Sequence, residues 1–105
     1  MIPEEVRRLI KKAVRKEVRE YLGKNEDMIY TNISKDLVEY YQQGEKDEDI
    51  RSVLEELTEQ KYFEIIPLYY RDGVTIEKIA ERFGVDVSTI VRNKRRLCLD
   101  IQRDL

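Results

Sequence analysis

Apolar residues recur at intervals of three and four along most of the chain, the spacing that gathers side chains onto one face of an α-helix. Val6, Leu9, Ile10, Ala13, Val14, Val18, Tyr21 and Leu22 form the first such stripe; Pro3 suits its opening turn and Gly23 its end. Residues 23–28 read as a polar link. A second helix is expected from about Asn32 or Ser34 to Gln43, with Ile33, Leu37, Tyr40 and Tyr41 inward and Gly44 as terminator. The acidic turn Glu45 to Asp49 supplies a cap for a third helix over 48–57, whose inward positions are Ile50, Val53, Leu54 and Leu57. A fourth is expected from Thr58 to Arg71, burying Tyr62, Ile65, Ile66 and Tyr69. Pro67 inside it removes one backbone donor and must bend or split it.

The last two predicted helices flank a tight turn. Ile76, Ile79, Ala80 and Phe83 mark a helix of about two turns, with Thr75 as its cap and Glu77 at the positive end of its dipole. Gly84 ends it, Val85 plugs the corner, and Asp86 caps a helix running from Val87 to about Ile101 or beyond. Ala80 matters because two helices joined by so short a turn need a small side chain where they touch. On the final helix Ile90, Lys94, Leu97 and Ile101 share one side, with the methylenes of Lys94 along the core edge. The expectation is an all-α helical bundle in two parts: residues 1–57, an arm and helices, and residues 58–105, a helix-turn-helix module.

Composition narrows the function. The 105 residues are 40% charged with four glycines and two prolines, which fits one soluble helical domain with or without an arm. No apolar run approaches the roughly 20 residues of a membrane span and no leader-like stretch opens the chain, so a cytoplasmic protein is expected. Histidine is absent and Cys98 is the single cysteine, which argues against a disulfide or a zinc site. Without paired carboxylates, a nucleophile motif or a Gly-rich phosphate loop, no enzyme and no cofactor are expected.

Charge is distributed unevenly. Residues 1–24 carry eight basic and four acidic residues, residues 25–64 four and twelve, and residues 65–105 eight and six. Residues 87–97 hold four basic residues and no acidic one. The outward side of the last helix therefore offers Ser88, Val91, Arg92 and Arg95 to base edges, while Thr89, Lys94 and Arg96 are placed for phosphates. A solvated basic face gives the same pattern without any nucleic acid. The seven tyrosines fall largely on helical stripes and read as core, not as a stacking platform.

Tyr62–Ile101 as a unit resembles region 4 of sigma-70-type factors, the part that reads the promoter −35 element. The residues that carry the likeness are Ile65-Ile66-Pro67-Leu68-Tyr69-Tyr70 followed by Asp72 to Val85. It is closer still to the sigma-region-4-like regulators of phages and mobile elements of the ArpU type, through Ser88-Thr89 and Arg92-Asn93-Lys94-Arg95-Arg96. Asn93 stands where that region usually has an apolar residue. The resemblance implies a helical module that binds double-stranded DNA and controls transcription, with RNA polymerase as a further partner. No segment suited to melting the −10 element is found, so a complete sigma factor is not expected.

The first stripe has three readings: a packing or homodimer arm, a second nucleic-acid contact through Arg7, Arg8, Lys11, Lys12, Arg15, Lys16 and Arg19, or a membrane-surface helix. Its four acidic residues disfavour the last. Two other functions compete with a regulator: a small terminase-like DNA-packaging adaptor, and a protein-binding modulator of RNA polymerase.

Overall fold

The computed structural model describes residues 3–22 and 25–105 and, within the first helix, the side chains of 5–10, 12–14 and 17. Among the described residues the regular structure is entirely helical. Helix α1 spans Glu4–Leu22, α2 Glu26–Gln42, α3 Glu48–Leu57, α4 Ile76–Phe83 and α5 Val87–Asp104, with a π-helical turn at Pro67–Arg71.

Capping explains most of the boundaries. Asn25 accepts the Met28 amide at 3.2 Å, and Glu26 and Asp27 occupy the first turn of α2, favourable for its dipole. The helix therefore starts well before Asn32, and residues 26–28, expected as a polar link, belong to it. Asp47 accepts the amides of Asp49 and Ile50 at 3.0 and 3.2 Å and opens α3 at the expected place. Helices α2 and α4 end alike: the Glu45 amide donates to Tyr40 O at 2.9 Å, and the Val85 amide to Ala80 O at 3.0 Å. Both closures turn on a left-handed glycine, Gly44 at φ 83° and Gly84 at φ 69°.

The expected helix over Thr58–Arg71 is not one helix. After α3 the chain descends through bonds three residues apart, Phe63 to Gln60, Ile65 to Tyr62 and Ile66 to Phe63, all near 3 Å. Pro67 cannot donate, and the next turn is wider, with the Asp72 amide donating to Pro67 O at 3.1 Å. The extra residue in that turn rotates the face by about one position. Tyr70, not Tyr69, is buried, and Tyr69 is 36% exposed.

Two apolar clusters form the core. Ile33, Leu37 and Tyr40 of α2 meet Ile50, Val53, Leu54 and Leu57 of α3, together with Ile66, Tyr70, Leu97, Cys98 and Ile101. The second joins Ile65, Leu68, Ile79, Ala80 and Ile90. Helix α5 contributes to both, so the core runs across the 57/58 boundary. Within the first cluster the Ser34 hydroxyl lies 2.8 Å from that of Tyr70, which in turn lies 3.5 Å from Cys98 Sγ. Burial pushes the Tyr70 and Cys98 pKa values up, so both stay protonated, and Cys98 is a core residue.

Helix α1 is different. Arg8 pairs with Glu48 at 2.9 Å and Asp49 at 3.4 Å at the start of α3, yet Val6, Leu9, Ile10 and Val14 are 42–66% exposed. The apolar stripe of α1 is thus uncovered at these positions. Its remaining members Val18, Tyr21 and Leu22, the Gly23 terminus, and the basic positions Lys11, Arg15, Lys16 and Arg19 lie outside the described side chains. No described helix is long and apolar enough to cross a membrane.

Because Leu97 is fully buried where α2, α3 and α5 meet, Leu97→Ala is expected to cost about 3 kcal/mol through lost transfer energy and the cavity left behind. Urea denaturation followed by circular dichroism measures it.

Candidate nucleic-acid interface

The joint between α4 and α5 is built from local chemistry. The Thr75 hydroxyl accepts the Lys78 amide at 3.3 Å and starts α4. At its other end, a Cβ on Gly84 would meet nothing within 4 Å, so glycine is required there by its backbone angle and not by space. Asp86 then accepts both the amide and the hydroxyl of Thr89. Those hydrogen bonds hold the Asp86 carboxyl below the usual aspartate range. Ala80, 4% exposed, lies in the contact with Ile90, where a larger side chain would push the two helices apart.

The outward side of α5 carries Ser88, Val91 and Arg92, all exposed, and Val91 is half exposed despite being apolar. Among the described residues Arg92 makes no hydrogen bond or ion pair. Thr89 is half-buried, with its hydroxyl committed to the cap. Arg96 is exposed and reaches Gln60 Oε1 at 3.5 Å. Asn93 turns its amide onto Thr89 O at 2.7 Å, which satisfies a polar side chain at a half-buried position.

Arg95 and Lys94 are held elsewhere. Arg95 reaches across to the start of α2, 2.6 Å from Asp27 and 3.9 Å from Glu26, with its guanidinium 5.6 Å from the Tyr30 ring centre. Lys94 is only 9% exposed. Its ammonium donates to the Tyr30 hydroxyl and lies 4.1 Å from the Tyr69 ring centre, 5.0 Å from that of Tyr30 and 5.4 Å from that of Tyr70. The expected phosphate contact of Lys94 does not fit this position. The physical reason is that its helical register aims it inward, where three tyrosines replace water around the charge.

The expected set therefore divides. Ser88, Val91, Arg92 and Arg96 share open solvent, Thr89 borders it, Arg95 is tied to α2, and Lys94 is enclosed. Asp27, Tyr30 and Tyr69, which govern Arg95 and Lys94, have no signal in the sequence. They lie far along the chain from their partners, and periodicity reports only neighbours on one helix. Among the described residues no group of three His, Cys, Asp or Glu side chains is placed to hold a metal ion. Comparison with protein-family models, curated proteins and solved structures gives no match to this chain.

The Asp86 cap makes the start of α5 sensitive to acid. With the folded-state pKa below the unfolded one, the cap contributes fully above about pH 3.9 and is lost as pH falls through the lower folded-state value. The Thr89 amide resonance, followed by NMR, is expected to titrate with a midpoint below that of an unfolded aspartate. Asp86→Asn, which keeps an acceptor, is expected to abolish the titration and retain the helix start.

Proposed function

We propose that this chain is a sequence-specific DNA-binding transcriptional regulator of phage or mobile-element type, with α4 and α5 as a helix-turn-helix and α5 entering the major groove. The observation that carries the reading is the open outward side of α5, where Arg92, unpaired among the described residues, stands beside Ser88 and Val91. Arg92 is suited to two hydrogen bonds with a guanine edge, Val91 to a thymine methyl, and Ser88 to either strand's acceptors. Arg96 is suited to phosphates, which set register without reading sequence, and Thr89, whose amide and hydroxyl are donated to Asp86, holds the start of α5 in place. The sigma-region-4 likeness of Tyr62–Ile101 supports the same reading and adds RNA polymerase as a partner.

Arg95 has a conditional role. Its ion pair with Asp27 is exposed, with Asp27 84% open to solvent, and such a pair contributes about 0–1 kcal/mol. DNA can displace Asp27 at that cost, so Arg95 joins the interface only by exchanging one anion for another. Lys94 serves indirectly by fixing α5.

One outward face with few cations binds weakly alone, which favours a homodimer that presents two such faces. The uncovered Val6, Leu9, Ile10 and Val14 of α1 are the surface proposed to join two copies. The same stripe favours a second reading, a ring-forming DNA-packaging adaptor.

Selection from a random duplex library is expected to yield one preferred site. Arg92→Ala is expected to weaken it by about 1–3 kcal/mol and relax specificity at one base. The pair Arg92→Ala and Arg95→Ala is expected to lose the preference; unchanged affinity for the same site in this double variant refutes the assignment. Asp27→Asn, which releases Arg95, is expected to tighten binding up to about fivefold. Sedimentation is expected to give a dimer that Leu9→Glu dissociates, whereas a ring of eight or more copies selects the packaging reading.

A further inference from the structure

Behind the outward face of α5, a shallow cavity of about 610 Å³, broadly open to solvent, lies between α2, the π turn and α5. Its walls include Tyr30, Ser34, Val38, Tyr69, Tyr70 and Lys94. The volume lies in the range of small-molecule sites.

Lys94 gives this cavity its chemistry. The residue is nine-tenths buried, and its ammonium has three N–H groups, of which one is donated to the Tyr30 hydroxyl. Among the described residues no carboxylate lies within ion-pair distance of it. A buried charge without a counter-ion is costly, and here the rings of Tyr69 and Tyr70 and the Tyr30 hydroxyl offset that cost in place of an anion. The remaining N–H capacity is unmatched by any acceptor charge among the described residues. A carboxylate entering the cavity would supply it.

The surroundings define the rest of the ligand. Lys35 on the wall adds a second positive charge. Glu39 lines the same cavity with its carboxylate engaged by the Gln43 amide at 3.0 Å, and it opposes a second negative charge on the ligand. The Ser34 and Tyr70 hydroxyls lie 2.8 Å apart, burial keeps Tyr70 protonated, and the pair offers a further hydrogen bond. Val38, 39% exposed, and Tyr69, 36% exposed, form an apolar flank suited to a flat hydrocarbon body. We infer that this cavity binds a small monocarboxylate carrying a flat apolar body, an aryl carboxylate, with its anionic end on Lys94. The inference is independent of DNA binding by α5.

Calorimetry of the full chain with 2-naphthoate tests it. Saturable one-to-one binding is expected, at least about tenfold weaker for the neutral 2-naphthylmethanol, because a hydrogen bond to a charged group is worth about 1.5–3 kcal/mol. Lys94→Met, which keeps the buried stem, is expected to cost about tenfold or more. Val38→Glu places a negative charge at an exposed position on the cavity wall, leaves the core intact, and is expected to do the same. Inorganic phosphate is expected not to compete. Absence of saturable naphthoate binding to the wild type, equal binding of the alcohol, or unchanged binding by folded Val38→Glu overturns the inference. Competition by phosphate at similar affinity overturns the aryl monocarboxylate and leaves a bare anion site.

Discussion

The inward edge of α5 is the constraint on which the rest of the structure depends. Ile90 closes the cluster formed with α4 and the segment before it, while Leu97 and Ile101 close the cluster formed with α2 and α3. Two small cores, each of few residues, are stabilised together because one rigid helix is common to both. Lys94 lies between them on the same edge. A charged side chain is tolerated there because the tyrosines of α2 and the π turn surround it, each cation–π contact contributing about 0.5–2 kcal/mol.

This arrangement sorts four basic residues that fall within five positions of the sequence but differ in role. Arg92 and Arg96 face solvent, Lys94 faces the tyrosines, and Arg95 lies at the border, where acids at the start of α2 capture it. A helix turns by about 100° per residue, so neighbours in a basic run cannot all reach one ligand. The proposed reading face is consequently narrow, centred on Ser88, Val91 and Arg92. Its narrowness is the reason that a second copy or a protein partner is part of the proposal.

The π turn has a comparable effect on the opposite side of α5. Pro67 removes a donor, the chain takes a wider turn, and the two adjacent tyrosines exchange places: Tyr70 enters the core beside Ser34 and Cys98, and Tyr69 turns its ring toward Lys94. A regular helix through Pro67 would bury Tyr69 and leave the ammonium short of its nearest aromatic face. The cavity floor and the seat of α5 thus share one irregular turn.

Much of the fold was legible in the amino-acid sequence because its causes are local. Asp47, Thr75 and Asp86 bond to amides two or three residues away, Gly44 and Gly84 relieve a backbone strain at their own positions, and apolar spacing marks the inner face of α3, α4 and α5 without reference to any neighbour. The start of α2 was legible in principle, through Asn25 followed by Glu26 and Asp27, and was hidden by the polar look of that stretch. Among the candidate residues, the exposure of Ser88, Val91 and Arg92 followed from helical register alone. Only the tertiary structure decided that Lys94 is caged, that Arg95 is tied to Asp27, that Tyr70 replaces Tyr69 in the core, and that Val6, Leu9, Ile10 and Val14 of α1 are uncovered. Each of those outcomes depends on which distant element lies opposite. Periodicity along one helix gives the direction of a side chain and not what it meets there.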